Sequence, residues 1–308
     1  MANKGIHHVT AVAGNPKQNY EFYTQVMGMQ MVKKTVNFDD PSGYHLYYGN
    51  EQGDPGTILT FFPWEHLQDG KPDAGQVVAI SFSVPTNSKE FWLTHLKEQG
   101  INVEDPFTRF GKEVIGLQDP NGLHLEIVMD PKADEEVGWD GGPLPSEHTI
   151  RGFHGATLAE KNYAKTGQLL EEHLGFTKTN QLDNRYLYRS NAQFGSHIEI
   201  IDQFDLHGRD GKGTVHHIAF RAEDENEQYE ICKDLEYKGY YLTEVKDRQY
   251  FKSVYFHEPG GILFEIATDP PGFTIDEELD QLGTSLRLPE WLEAHRENIE
   301  RELPELTS

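Results

Sequence analysis

Two histidine doublets sit inside apolar runs of this chain. "GIHHVTAV" (5–12) holds His7 and His8, and "TVHHIAFRA" (214–222) holds His216 and His217. A single histidine, His154, follows Phe153 at the start of a similar run. Glutamate recurs in a second kind of run: "GLHLEIV" carries Glu126, "GSHIEII" carries Glu199 and "GILFEIA" carries Glu265. Imidazoles and carboxylates at matched places in strand-like segments are the materials of a metal site. Glu265, between Phe264 and Ile266, is costly to bury without a cation, a metal or a hydrogen-bond network. Taken singly, each residue has a plain explanation: a glutamate on a solvent-facing strand, a histidine satisfied in the core. Three matched glutamates and three matched histidines in a repeat weigh against it.

The elements that position these residues form a weak internal repeat. Apolar strands begin near Ile6, Val77, Phe153 and Val215. Each is followed by a helix-like segment: "PKQNYEFYTQVMGM", "NSKEFWLTHLKEQG", "KNYAKTGQLLEEHLGF" and "NEQYEICKDLEYKGY". Shorter alternating segments then read as strands, and "DPNG" (119–122) and "EPGG" (258–261) are tight turns before the last strand. The unit is βαβββ, repeated four times at about 60–75 residues. The stretch 130–150, rich in Gly, Pro and acid, reads as the linker between two pairs of units. The expected organisation is units one and two in 1–135, units three and four in 150–270, and a helical extension over 271–308, with a helix starting near Pro289.

Aligning the units gives two columns. The first strands offer His8, Ala79, His154 and His217; the last strands offer Thr60, Glu126, Glu199 and Glu265. A strand alternates its faces, so only one member of each doublet can be a direct ligand from a regular strand. The column selects the second member, which leaves His7 and His216 to support the ligand or act on a substrate.

Bulk properties narrow the class. The formal charge of −24 argues against nucleic acid and anionic membrane. No apolar run is long enough to cross a bilayer. "MANKGIHH" lacks the features of a secretory signal. A soluble cytoplasmic chain is expected, compatible with a homo-oligomer. The single cysteine, Cys232, forms no internal disulfide and reads as a small core residue of a helix. Nucleophile-elbow, P-loop and dinucleotide motifs are missing.

Four βαβββ units with first-strand histidine and last-strand glutamate resemble the vicinal oxygen chelate superfamily, which includes glyoxalase I, bleomycin resistance proteins and extradiol dioxygenases. Within it, "GIHHVTAV", "VHHIAF" and the tail "LPEWLEAHRENIERELPEL" resemble the bacterial hydroquinone-type (Mhq-type) ring-cleaving dioxygenases, over nearly the whole chain. The resemblance implies an α+β fold in which four βαβββ modules form two cupped, barrel-like mixed sheets, with helices outside and a C-terminal helical tail. It implies Fe(II) on His8, His217 and Glu265, and His7, Thr10, His216, Arg248 and Tyr255 around the substrate. The implied partners are a small aromatic substrate and O2, and the implied role is detoxification or catabolism of quinones and hydroquinones.

Two pairings of the units remain open from the residues themselves. If unit three pairs with unit four, His154, Glu199, His217 and Glu265 form a two-His, two-Glu set suited to a glyoxalase-like isomerase. If unit one pairs with unit four, the set is His8, His217 and Glu265, with Thr60 in the fourth place. Thr60 is a poor ligand, so this set leaves positions open for substrate and O2. Both doublets fall on units one and four, which favours the second pairing. Glu126, His154 and Glu199 then form a vestigial alternative site. A third reading is a non-catalytic protein that binds a planar aromatic compound.

Overall fold

The structure, a computed structural model, describes residues 4–202 and 208–306. Unit one contributes β1 (Ile6–Ala13), β2 (Gln30–Asn37), β3 (Asp40–Gly49) and β4 (Ile58–Pro63). Unit two contributes β5 (Gln76–Val84), β6 (Phe107–Arg109), β7 (Lys112–Gln118) and β8 (His124–Met129). Unit three gives β9 (Gly152–Glu160), β10 (Thr177–Leu182), β11 (Arg185–Arg189) and β12 (His197–Asp202). Unit four gives β13 (Val215–Ala222), β14 (Lys246–Asp247), β15 (Lys252–His257) and β16 (Leu263–Thr268).

One helix follows the first strand of each unit: α1 (Pro16–Glu21), α2 (Lys89–Glu98), α3 (Tyr163–Glu172) and α4 (Glu225–Tyr237). Polar caps start three of them. Asn15, Asn162 and Asp224 accept from the backbone N–H of Gln18, Ala164 and Glu227, satisfying donors that the first turn leaves free. The two tight turns also work through acid. Asp119 accepts from the N–H of Asn121 and Leu123, and Glu258 from that of Ile262.

The strands form two eight-stranded mixed sheets. One runs β14-β15-β16-β13-β1-β4-β3-β2 and the other β10-β11-β12-β9-β5-β8-β7-β6. Unit one therefore shares a sheet with unit four, and unit two with unit three. The seams are the antiparallel pairs β1–β13 and β5–β9. In each sheet the two first strands lie at the centre, flanked in parallel by the last strands. This is the cupped α+β architecture that the family resemblance implies. All eight residues of β1 are buried. Packing on both faces explains why it reads as a continuous apolar run rather than an alternating one.

The C-terminal segment is fastened to unit one. Lys33 is fully buried, and its ammonium meets Asp276 at 2.6 Å and Glu277 at 2.5 Å. Tyr44 donates to the Pro304 carbonyl, and Leu288, Ile299, Leu303 and Leu306 join the main core. The single helix expected from Pro289 is two short ones, α5 (Glu290–Glu293) and α6 (Arg296–Glu302). They are separated where His295 bonds back to Leu292 in a tighter turn. Among the described residues no helix is long and apolar enough to cross a membrane.

Candidate active site

Register places the site. β1 and β13 pair so that His8 lies opposite Ala219 and Thr10 opposite His217. β13 and β16 pair so that Ala219 lies beside Glu265. His8, His217 and Glu265 thus share the inner face at the centre of one sheet, all buried. His8 Nε2 is 3.2 Å from His217 Nε2. Glu265 Oε2 is 3.4 Å from His8 Nε2 and 3.0 Å from His217 Nε2.

These separations suit a shared ion. Ligands bound at about 2.0–2.2 Å on adjacent corners of a metal lie roughly 3 Å apart. Glu265 Oε2 is fully buried and meets no donor besides the two ring nitrogens, while Oε1 accepts from Ser253 Oγ at 2.5 Å. A buried carboxylate oxygen left without a donor is expensive unless a cation meets it. Burial opposes the Glu265 charge, yet the neighbouring His8 and His217 hold its carboxyl well below the usual carboxylate range. Burial also pushes the His217 imidazolium down, against the pull of Glu265. Deprotonated donors are what a metal needs. Among the described residues this is the only trio of metal-type side chains whose ligand atoms converge.

The first member of each doublet meets the second through its ring. His7 Nδ1 is 2.9 Å from His8 Nδ1, and His216 Nδ1 is 2.7 Å from His217 Nδ1. Both contacts leave Nε2 of His8 and His217 toward Glu265. His7 is buried, with Phe251 beside both rings of its doublet. His216 is exposed at the mouth of a cavity of about 310 Å³, edge-on to Phe62 and Trp64.

Arg248 and Tyr255 line the same cavity. Arg248 donates from Nε to the Tyr255 hydroxyl at 3.3 Å and from Nη1 to Asp39 at 3.0 Å. Tyr255 stands edge-on to His217, and burial together with Glu265 raises its pKa, so it stays a phenol. Thr10 lies one step away, its hydroxyl 2.8 Å from that of Thr60. The structure therefore brings His7, Thr10, His216, Arg248 and Tyr255 around the trio.

Sequence reasoning missed His45 and Tyr47 on β3, which also line the cavity. The signal was present. Both sit at alternate positions of "GYHLYYGN", and β3 aligns with β15, which supplies Ser253 and Tyr255.

The alternative set lies in the other sheet and does not gather around a common point. Arg109 occupies the space between Glu126 and Glu199, bonding both. Arg185 adds a 2.6 Å contact to Glu199. His154 turns instead to Asp130, at 2.9 Å, which Lys112 also holds. Fixed cations thus neutralise the two glutamates. The pairing of units three and four does not occur, so His154 and Glu199 stand in a different sheet from His217 and Glu265. Cys232 is partly buried on α4, its thiol pushed up to about 12 by burial.

A family model described as the Glyoxalase/Bleomycin resistance protein/Dioxygenase superfamily matches residues 5–127 and 152–275. The chain is 44% identical over 308 residues to "Putative ring-cleaving dioxygenase MhqO" of Bacillus subtilis, with 98% of this chain and 97% of that one covered. It is 31% identical over 306 residues to the chlorohydroquinone/hydroquinone 1,2-dioxygenase of Sphingobium indicum, covering 97% and 95%. A crystal structure titled as a putative dioxygenase from Bacillus subtilis superposes with a TM-score of 0.93 at 43% identity, covering 99% and 98% of the two chains.

Proposed function

The chain belongs to the Glyoxalase/Bleomycin resistance protein/Dioxygenase superfamily, and on that premise we propose that it is a ring-cleaving dioxygenase for hydroquinone-type aromatics, using ferrous iron on His8, His217 and Glu265. The observation that carries the reading is the three-ligand face beside an aromatic cavity. Thr60, not a second carboxylate to serve as fourth ligand, occupies the place in unit one that Glu265 holds in unit four. Fe(II) bound there would supply open positions for a phenolate oxygen and O2, and a route for electrons between them. The relatives named as ring-cleaving dioxygenases, one of them for hydroquinone, support the same reaction class.

The chain's own residues have definite tasks in this reading. Arg248 places a fixed positive charge beside the cavity, which favours the ionised phenol. Its bond to the Tyr255 oxygen leaves the phenol hydrogen free to be donated to a bound oxygen. His217, bound to iron through Nε2, carries its hydrogen on Nδ1 and donates it to His216 Nδ1, so His216 holds its own hydrogen on Nε2, ready to donate to a substrate oxygen at the cavity mouth. Phe62 and Trp64, stacked with centroids 4.9 Å apart, offer an aromatic wall for the substrate ring. His7 and His216 orient the two ligand imidazoles by bonding their far nitrogens. The product is the opened ring carrying both oxygen atoms, and the role is detoxification or catabolism of quinones and hydroquinones.

The test is oxygen uptake by Fe(II)-reconstituted protein over a panel of hydroquinones and catechols. Uptake matched one-to-one by loss of a hydroquinone supports the proposal. No uptake with either class, despite bound iron, overturns it.

A further inference from the structure

The sheet that carries the trio has internal two-fold pseudosymmetry, and it assigns partners to residues outside the trio. Thr10 pairs with Thr60 across β1 and β4, as Ala219 pairs with Glu265 across β13 and β16. Tyr47 lies opposite Thr60 on β3, as Tyr255 lies opposite Glu265 on β15. Two residues before each tyrosine stand His45 and Ser253. Ser253 bonds the Glu265 carboxylate at 2.5 Å, and His45 Nε2 lies 2.8 Å from Thr60 Oγ1. Where unit four has a serine holding a metal-type carboxylate, unit one has a histidine holding a hydroxyl.

His45 is bonded at both nitrogens. Its Nδ1 is 2.9 Å from the Tyr47 hydroxyl, and Thr60 continues to Thr10 at 2.8 Å. Four side chains thus form one line: Tyr47, His45, Thr60, Thr10. Its direction follows from donor counting. The Tyr47 hydroxyl is buried with His45 as its hydrogen-bond partner; accepting from Nδ1 would leave the phenol hydrogen buried without an acceptor, so the phenol donates to Nδ1. Burial, with His217 and His8 nearby, keeps the His45 imidazolium well below its ordinary range, so the ring is neutral. A neutral ring that accepts at Nδ1 carries its hydrogen on Nε2 and donates to Thr60. Thr60, having accepted from His45, donates to Thr10. The Thr10 hydrogen is then the end of the line, on the inner face opposite His217.

Resting on the dioxygenase reading above, we propose that Tyr47 and His45 form a one-way hydrogen-bond line through Thr60 that leaves the Thr10 hydroxyl as a donor to the oxygen reacting on the open side of the His8–His217–Glu265 face. His45 is a positioning residue, since it acts through Thr60 and Thr10 rather than on the substrate. The line fills the quadrant where a fourth ligand would otherwise project. It supplies there what a carboxylate cannot, a hydrogen to donate.

The experiment has two arms. In the first, ¹⁵N-labelled, metal-free protein is examined by NMR for the tautomer of His45. The proposal expects the hydrogen on Nε2 in the parent protein and a loss of that preference in Tyr47→Phe. A hydrogen on Nδ1 overturns it, because the line would then run outward. In the second arm, His45→Phe, His45→Gln and Tyr47→Phe are loaded with Fe(II) and assayed. His45→Phe should lower kcat about 10- to 100-fold, less than the roughly 10²–10³-fold for loss of a direct donor because Thr10 itself remains, with KM and iron content near wild type. Gln has an acceptor and a donor on one side chain and should restore much of kcat. The double variant His45→Phe/Tyr47→Phe should be no worse than His45→Phe, because members of one line are not additive. Unchanged kcat in His45→Phe, lost iron, or additive effects each overturn the proposal. Parent protein that holds iron and shows the Nε2 tautomer, yet turns over no hydroquinone, defeats the dioxygenase reading and leaves the direction of the line intact.

Discussion

His216 and His217 are neighbours in sequence, and their rings meet through Nδ1 at 2.7 Å. One sits at the cavity mouth and the other inside, 3.0 Å from the Glu265 carboxylate. The doublet is a ligand candidate with its own orienting partner attached. The same relation between His7 and His8, at 2.9 Å, explains why the pattern occurs twice.

Replacing His216 with Ala should therefore spare iron and damage turnover. Loss of a proton-handling group costs about 10²–10⁴-fold in rate. His217→Ala and Glu265→Gln should instead lose most of the bound iron. Metal analysis beside kcat separates the cases. Iron loss in His216→Ala would make its orienting bond essential for metal retention.

Hydroquinones should be cleaved faster than catechols. A para diol presents one oxygen to the metal face and leaves the other toward the cavity mouth, where His216 and Arg248 stand. Competition in one reaction vessel, read by product ratio, measures the preference directly. Equal or better use of catechol would move the assignment to ordinary extradiol cleavage.

Arg109 should be a stability residue and not a functional one. It bonds Glu126 and Glu199, both of them buried. Removing one partner of a buried ion pair costs about 3–5 kcal/mol, because the other charge is stranded. Arg109→Met should lower the urea midpoint accordingly and leave iron content at His8, His217 and Glu265 unchanged. An unchanged midpoint would mean that Glu126 finds another cation or a proton.

Glu160 predicts a pH dependence of stability. Both its oxygens are buried without a donor beneath Gly260, and it faces Glu258 across the junction of units three and four. Burial first, and then the Glu258 charge, push its carboxyl from an ordinary 4.5 up to about 9. Between those values the folded chain keeps a proton that the unfolded chain has released. Stability from this group is therefore complete below pH 4.5 and declines as pH rises toward 9. Glu160→Gln should flatten that decline. Its Tm should exceed that of the parent at pH 9 and match it near pH 4.5. Parallel Tm curves for the two proteins would show that Glu160 is charged in the fold.

The sequence alone determined the repeat, the strand faces and the turn chemistry. The aligned columns put His8, His217 and Glu265 at matched positions of the units, and "DPNG" and "EPGG" marked turns that the structure closes through Asp119 and Glu258. It also carried the columns in which Thr60 replaces a glutamate. Only the tertiary structure decided which units share a sheet, that Arg109 fills the space between Glu126 and Glu199, and that His45 and Tyr47 continue the line from Thr10. The reason is physical. The two-residue period of a strand records which face a side chain takes, and that information is local. Pairing joins residues such as Thr10 and His217, some two hundred positions apart. It is chosen by the packing of whole sheets, and no window of sequence records it.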